Sequence, residues 1–414
     1  MTAKVTTLLI AFVLFFSAEK NFAQTNPLPS KSPLPDSLQQ KEDSLATQKD
    51  ILDLLHQLFS KKSTVKTASV PKRFIFSVVP AAGYTLSTGL SAGLTANVAF
   101  FAEPKERENL SSINSNLSYN QRSQITFRIG SNIWTKDNKY NFVGDWRLYK
   151  FPENTYGLGS SSSADALNPI KYDFLRFYET VLKQLTKNFY GGLGYALDAH
   201  YNITQNGAPN QVVTGYQVYG QTTKSLSSGV TFNLLYDNRR SSINPRNGTY
   251  ANLIYRVNQQ FLGSDESWQS LTFDIRKYLP LTPSGKSILA FWTLDVFTLN
   301  GHPPYFDLPS TGWDTNGSTG RGYVQGRFRG TDMLYAEGAY RVDFTKNGLL
   351  GGVFFVNGES FTDYPANRFQ KVALGYGPGL RIKFNKRSDT NIAIDYGIGQ
   401  GGSRGFFVNL GEVF

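Results

Sequence analysis

From residue 71 onward the chain alternates apolar and polar positions with a period of two. Tyr335, Glu337, Ala339, Arg341 and Asp343 share one side, and Leu334, Ala336, Gly338, Tyr340, Val342 and Phe344 the other. Thr231, Asn233 and Asp237 alternate with Val230, Phe232, Leu234 and Tyr236, and Ser270, Thr272, Asp274 and Arg276 with Leu271, Phe273 and Ile275. Asp145 and Arg147 interleave with Phe142, Trp146 and Leu148. Successive side chains of a strand point to opposite faces, so each such segment has one apolar and one polar or charged face. A soluble sandwich alternates too, with its apolar face inward. Here the runs reach about ten residues, near the roughly 9–11 that cross a bilayer at a tilt. Edges that long have to be hidden, and closing the sheet hides them.

The alternation predicts strands near 72–83, 86–101, 109–119, 123–134, 139–150, 171–187, 190–204 and 226–237. It continues near 249–261, 267–279, 286–298, 332–344, 349–361, 371–384, 390–398 and 404–413. The expected fold is therefore all-β, a 16-stranded antiparallel transmembrane β-barrel preceded by a short N-terminal amphipathic helix. With a periplasmic N-terminus, odd-to-even connections lie outside the cell and should be the long ones. The connections 151–170, 299–331 and 362–370 obey this, as do the short ones at 135–138, 345–348 and 385–389. The 238–248 connection is long for its side.

Ahead of the alternating region, Lys4 precedes an apolar run from Val5 to Ala18, and small or polar residues follow to Ala23 and Gln24. This is the layout of a secretory signal peptide, 1–24. The run is shorter than the roughly 20 residues that span a bilayer as a helix. Residues 25–70 read as a periplasmic linker and short helix. Pro27, Pro29, Pro33 and Pro35 mark the linker, and Ile51, Leu54, Leu55, Leu58 and Phe59 recur at helical spacing before Lys61 and Lys62. That helix is either a plug or periplasmic contact, or simply rests on the barrel rim. The barrel itself is assigned to 71–414.

Composition sharpens this picture in three respects. The 414 residues include 38 glycines and 14% aromatics, which suit tight turns and a membrane interface. The net charge of +11 is spread along the chain with no Lys/Arg run or recognition helix, so anionic lipid headgroups fit it and nucleic acid does not. Cysteine is absent, as suits an oxidising compartment. The expected partners are outer-membrane lipids and other outer-membrane or periplasmic proteins.

The connection before the twelfth strand contains Gly320-Arg321-Gly322-Tyr323-Val324-Gln325-Gly326-Arg327-Phe328-Arg329-Gly330. A mobile outer loop has little use for three arginines and four glycines this close. A loop folded against a polar wall uses both, glycine for close approach and arginine for forked bonds to carboxylates. Arg321-Gly322-Tyr323 resembles the Arg-Gly-aromatic tip of the sixth extracellular loop in the BamA/TamA superfamily of outer-membrane assembly factors. Tyr236-Asp237-Asn238-Arg239 with Asn244-Pro245-Arg246-Asn247-Gly248 resembles that family's Asp-x-Arg…Pro-x-x-Gly segment, so Asp237, Arg239, Pro245 and Gly248 are carried over. Gly379-Leu380-Arg381 and Ile394-Asp395-Tyr396-Gly397 resemble its last strands. The resemblance covers roughly 72–414 and implies assisted insertion or translocation of protein or lipid at the outer membrane.

Two departures change what is carried over. In the family the tip arginine is held by a glutamate on strand twelve and an aspartate on strand thirteen, and Ala339 and Asn357 fall at those positions here. Glu337 lies two residues earlier, about 6–7 Å along the strand. We therefore expect Arg321 to pair with Glu337, with Asp395 or Glu359 as the alternative, and Asn357 to accept one neutral hydrogen bond. Arg321 could equally be a structural staple without a gating role. The family also carries periplasmic polypeptide-transport-associated domains. Residues 25–70 are too few for one, so the chain resembles a short, barrel-only branch.

Other features carry alternatives. The family's mechanism uses a weak seam between first and last strands; Gly375, Gly377, Pro378 and Gly379 either thin the wall near that seam or mark an ordinary bulge or bend. The last segment, with Gly405, Val408, Leu410 and Phe414, resembles an insertion signal: a closing strand whose Val408 and Leu410 face lipid, ending on an aromatic. Gly89-Leu90-Ser91-Ala92-Gly93 matches the hydrolase G-x-S-x-G pattern but sits inside a predicted strand, and of His56, His200 and His302 only His200 is on a strand. Without metal-ligand spacing or a phosphate loop, we expect no catalysis, no metal and no cofactor. The other functional readings are a porin-like channel gated by the 299–331 loop, and a structural subunit of an outer-membrane complex.

Overall fold

The computed structural model describes residues 47–51, 53–54, 74–85, 88–100, 109–207, 213–239, 241–386 and 388–414. The chain forms two units, Met1–Thr47 and Gln48–Phe414, and the second carries the fold below. The signal peptide, the linker, and Leu55, Leu58 and Phe59 of the expected helix lie outside the described residues. The start of that helix is described. Asp50 caps it, accepting from the Asp53 amide at 2.8 Å while its own amide donates to the Asp53 carboxylate at 3.2 Å.

The strands are β1 (Phe74–Thr85), β2 (Gly89–Phe100), β3 (Ser111–Asn120), β4 (Ile125–Trp134), β5 (Tyr140–Thr155), β6 (Asn168–Thr186), β7 (Phe189–Gln205) and β8 (Ser225–Asp237). They continue as β9 (Gly248–Asn258), β10 (Trp268–Pro280), β11 (Ser287–Gly301), β12 (Met333–Asp343), β13 (Leu350–Phe361), β14 (Ala373–Asn385), β15 (Thr390–Gly399) and β16 (Arg404–Leu410). They form one antiparallel sheet in which each strand pairs with the next in sequence, an all-β meander consistent with a β-barrel. Among the described residues no helix is long and apolar enough to cross a membrane.

The two faces of this sheet are inverted relative to a soluble core. Phe142, Leu193, Phe232, Phe291 and Phe354 are exposed, whereas Arg147, Asp198, Arg256, Glu337 and Asp395 are buried. Burying charge is costly unless it is paired, and these charges are paired. Asp198 receives Arg176 and Arg256, each at 2.7 Å, and Asp145 receives Arg147 at 2.6 Å and Arg128 at 3.1 Å. The polar positions of the alternating pattern therefore line an inner, ion-paired face.

The longest connections lie at one end, which also carries the short 121–124 and 400–403. That end carries 156–167, 206–224, 302–332 and 362–372; the other carries 187–188, 281–286, 344–349 and 386–389, and also the longer 238–247. Two expected boundaries need correction. The 151–170 connection is shorter, because β5 and β6 stay paired as far as Thr155 and Asn168. Phe151, Tyr172 and Phe174 pack into an aromatic cluster there with Tyr216 and Tyr305, which holds a Pro- and Asn-containing stretch in extended form. The last strand stops at Leu410, not 413. Gly411 adopts φ 97, a conformation open to glycine, and turns the chain off the sheet.

Candidate functional site

The connection from β11 to β12 folds back against the inner face. Its outer part is braced by arginines. Arg329 donates to the carbonyls of Tyr305 and Leu308 at 3.1 and 3.3 Å and lies 3.7 Å from Glu153. Arg327 donates to the Ser162 hydroxyl and carbonyl at 3.1 and 2.8 Å, with its guanidinium over the Tyr156 ring. Asp314 accepts from the amides of Asn316, Ser318 and Thr319, which shapes the turn ahead of the tip.

At the tip, Arg321 is 1% exposed. One terminal nitrogen donates to Glu337 on β12 and the other to Asp395 on β15, while the guanidinium stacks over the Phe355 ring at 3.7 Å. Burial disfavours the charged guanidinium, yet Glu337 and Asp395 hold it more firmly protonated than usual. Arg321 thus engages the expected partner, Glu337, and at the same time Asp395, named only as an alternative to it. Glu359, the other alternative, is not engaged: it accepts from Thr311 at 3.0 Å and sits under Gly320. Asn357 also differs from expectation. It donates its amide to the Arg321 carbonyl at 3.0 Å rather than accepting from the guanidinium. The reason is positional: it lies beneath the loop backbone, opposite Gly375 in the β13–β14 register. Ala339 is buried without a polar role.

The glycines of β14 and β15 make room for this tip. A Cβ on Gly375 would stand 2.4 Å from the Arg321 carbonyl oxygen, and one on Gly397 would stand 2.6 Å from the Gly322 amide nitrogen. Gly379 leaves space for the Asp395 carboxylate, which a Cβ would meet at 1.8 Å. Tyr323 completes the seat, donating to the Leu374 carbonyl at 2.7 Å and accepting from the Gln400 amide at 2.9 Å; the Ser403 hydroxyl donates to Gly322 O at 2.6 Å.

The ion-pair chain runs on toward the short-turn end through Arg381 to Glu412 and Asn391, two residues that the sequence did not single out. Arg381 bridges Asp395 at 2.6 Å and Glu412 at 2.9 Å, and Asn391 donates to Glu412 at 2.8 Å. Burial pushes the Glu412 carboxyl up, but Arg381 and Arg341 overcome it and hold it at about 2 against an ordinary 4.5. Phe414 corrects the expectation of a strand-end aromatic. Residues 411–414 turn inward, and Phe414, 3% exposed, stacks on Trp292 at 5.3 Å while Arg341 donates to its carbonyl at 2.9 Å. Val408 and Leu410 do share the outer face with Phe406, and Gly405 is buried on the inner one.

The segment after β8 buttresses the same end. Arg239 grips Asp237 through two bonds of 2.9 Å and lies over Tyr250, and Gly248, at φ 103, leaves room for the Asn238 side chain. Beyond Pro245, Arg246 reaches Asp343 at 3.0 Å, and the Ile243 carbonyl accepts from the Glu412 amide at 3.1 Å. Ser91 lies within β2 and His200 on β7. Ser225 and Asp307 approach the same ring nitrogen of His200, at 3.4 and 4.0 Å, so the imidazole does not bridge them. Among the described residues no group of His, Asp and Glu is arranged to hold a metal.

An antiparallel sheet with an apolar outer face, a charged inner face and an Arg-Gly-Tyr loop clamped inside defines a class of outer-membrane barrel proteins. Residues 82–414 match the Omp85 superfamily domain, and the chain belongs to that superfamily. Among solved structures it resembles BamA from Haemophilus ducreyi lacking POTRA domains 1–3, with 16% identity, TM-score 0.50, and 81% of this chain and 69% of that one covered. It also resembles CdiB from Acinetobacter baumannii (12% identity, TM-score 0.53, 82% and 60% covered) and CdiB from Escherichia coli (9%, 0.56, 83% and 63%). These likenesses are of fold, and the chain spans less than two thirds of either CdiB chain. No curated protein sequence matches it.

Proposed function

We propose that the chain is a closed, sixteen-stranded barrel of the bacterial outer membrane that assists insertion or translocation of protein or lipid, its 302–332 loop locked inside at rest. Membership of the Omp85 superfamily supports this, as do the BamA and CdiB folds beside it. Closure is supported by the approach of β1 to β16. On this reading the short-turn end is periplasmic, residues 1–24 are the export signal, 25–70 stay on the periplasmic side, and the partners are membrane lipids and other outer-membrane or periplasmic proteins. The protein is not an enzyme and needs no cofactor.

The observation that carries the reading is the Arg321 clamp. A passive channel gains stability from a loop tip fixed to β12 and β15 at once, but has no need to release it. A barrel whose wall near its last strands must be held and then released has a use for it. The purified protein in a planar bilayer is expected to conduct poorly, and Arg321→Ala to raise its conductance. A wild type that conducts freely and is indifferent to Arg321→Ala would favour a pore.

A further inference from the structure

The outer face holds a charge that the clamp does not explain. On β6, Arg176 and Tyr178 point inward to Asp198, so the period of two turns Glu179 outward. Its carboxylate accepts from the indole N–H of Trp146 at 2.8 Å, and Trp146 is itself 42% exposed on the outer face. Phe177 and Val181, the outward neighbours on either side along β6, are exposed apolar residues. On the same face Lys183 lies toward the short-turn end and Asp173 toward the other. At about 3.3 Å per residue and a tilt near 40°, these stand about 10 Å and 15 Å from Glu179 in depth. In an apolar belt about 25 Å tall, Glu179 is near the middle, beyond snorkelling reach of either interface.

A carboxyl group at that depth is costly unless a partner satisfies it. Asp295 on β11 also faces outward, but it mends the sheet. Its carboxylate accepts from Thr293 and from the Tyr335 amide, in the gap between the pairs Thr293↔Ala336 and Val296↔Met333. Around Glu179 the pairing is continuous, Gly144↔Glu179 on one side and Glu179↔Tyr195 on the other, so there is nothing to mend. Among the described residues Trp146 is its one hydrogen-bond donor, and a carboxylate accepts more.

The same rung supplies a complement. Ser131 on β4 pairs with Gly144, which pairs with Glu179. A Cβ on Gly144 would stand 2.7 Å from the Ser131 hydroxyl and 2.9 Å from the Glu179 carboxylate, so these two side chains close over the buried glycine and set a donor beside an acceptor on the outer face. Lipid phosphates lie at the interfaces and carry the wrong charge. Two copies inserted in the same direction can present one wall to each other only about an axis along the membrane normal, which sets like depth against like depth. Ser131 and Gly144 carry little side-chain bulk, which allows close approach. We propose that the β4–β6 wall is the contact between two copies of this chain, Glu179 of each accepting from the Ser131 hydroxyl of the other, donor beside acceptor on both walls. This rests on the membrane-barrel reading above.

The chain has no cysteine, so single-cysteine cross-linking of the full protein in lipid vesicles is clean. Val181→Cys is expected to give an oxidised homodimer at least tenfold more readily than Phe232→Cys on β8. Adding Glu179→Leu should cut the Val181 cross-link at least tenfold, and Glu179→Gln, which still accepts, should keep most of it. The Glu179→Leu barrel itself should unfold in urea no more easily than the parent. Equal cross-linking at both cysteines, an adduct with a different protein, indifference to Glu179→Leu, or a destabilised Glu179→Leu barrel would each overturn the proposal. Flotation of the parent with vesicles, scored separately, reports the membrane reading on its own. A chain that inserts yet gives no homodimer refutes only the contact.

Discussion

Removing Arg321 exposes an asymmetry between its two acidic partners. Asp395 keeps Arg381 at 2.6 Å when Arg321 is lost, so its charge stays compensated. Among the described residues Glu337 keeps only the Tyr335 hydroxyl, at 2.6 Å, and is 3% exposed. Breaking a buried pair from one side costs about 3–5 kcal/mol, mostly because a charge is left stranded. We therefore predict that Arg321→Ala destabilises the refolded barrel by about that amount, and that Arg321→Ala with Glu337→Gln recovers more than half of the loss. The double substitution leaves no stranded carboxylate. Pairing Arg321→Ala with Asp395→Asn should recover much less, since it also strips Arg381 of a partner. Urea unfolding in lipid vesicles, followed by the gel shift between folded and unfolded forms, reads this directly. With a denaturant slope near 2–3 kcal/mol per molar, the single variant's midpoint should fall by about 1–2 M. The reasoning fails if Arg321→Ala leaves the midpoint unchanged, or if the two double variants rescue equally.

Further predictions follow from the surrounding geometry. Gly397→Val places atoms where the Gly322 amide now sits, so it should expel the loop tip and make 302–332 protease-sensitive while β1–β16 still fold; an unchanged digestion pattern would refute the glycine seat. Phe414→Ala should cost about 3–5 kcal/mol and shift tryptophan emission through Trp292, whereas a neutral effect would mean that the inward turn is dispensable. Glu412 is held at about 2, below its ordinary 4.5, so its contribution is present above pH 4.5 and lost as pH falls toward 2. Parent stability should therefore drop over that interval by about 3 kcal/mol more than that of Glu412→Gln, a difference absent if the carboxylate is unpaired.

The strands were legible because a two-residue period is the one signal that a wall with one wet and one oily side cannot avoid. It fixed the faces of β8, β10 and β12 residue by residue. It could not locate the ends of β5 and β6, where an aromatic cluster above the wall overrides Pro152 and Asn154. The clamp was legible in part. Arg321 and its acids stood out as charges among glycines, and the strand spacing put Glu337 within reach. That Asp395 would be shared with Arg381 depends on the β14–β15 register, and that Arg341 would reach Phe414 depends on how segments far apart in the chain meet in the interior. No local period reports that. The inward turn at Gly411 was missed for a related reason: Val408 and Leu410 continue the alternation, and the aromatic at 414 fits a strand as well as a wedge.

The most direct test of the proposed role is to deplete the protein in its own cell and quantify every other outer-membrane protein together with the surface lipids. The account predicts loss of several unrelated barrels or lipoproteins, or of surface lipid, restored by the parent chain and not by Arg321→Ala. An unchanged membrane, with only small-solute uptake altered, would contradict it and identify the barrel as a pore.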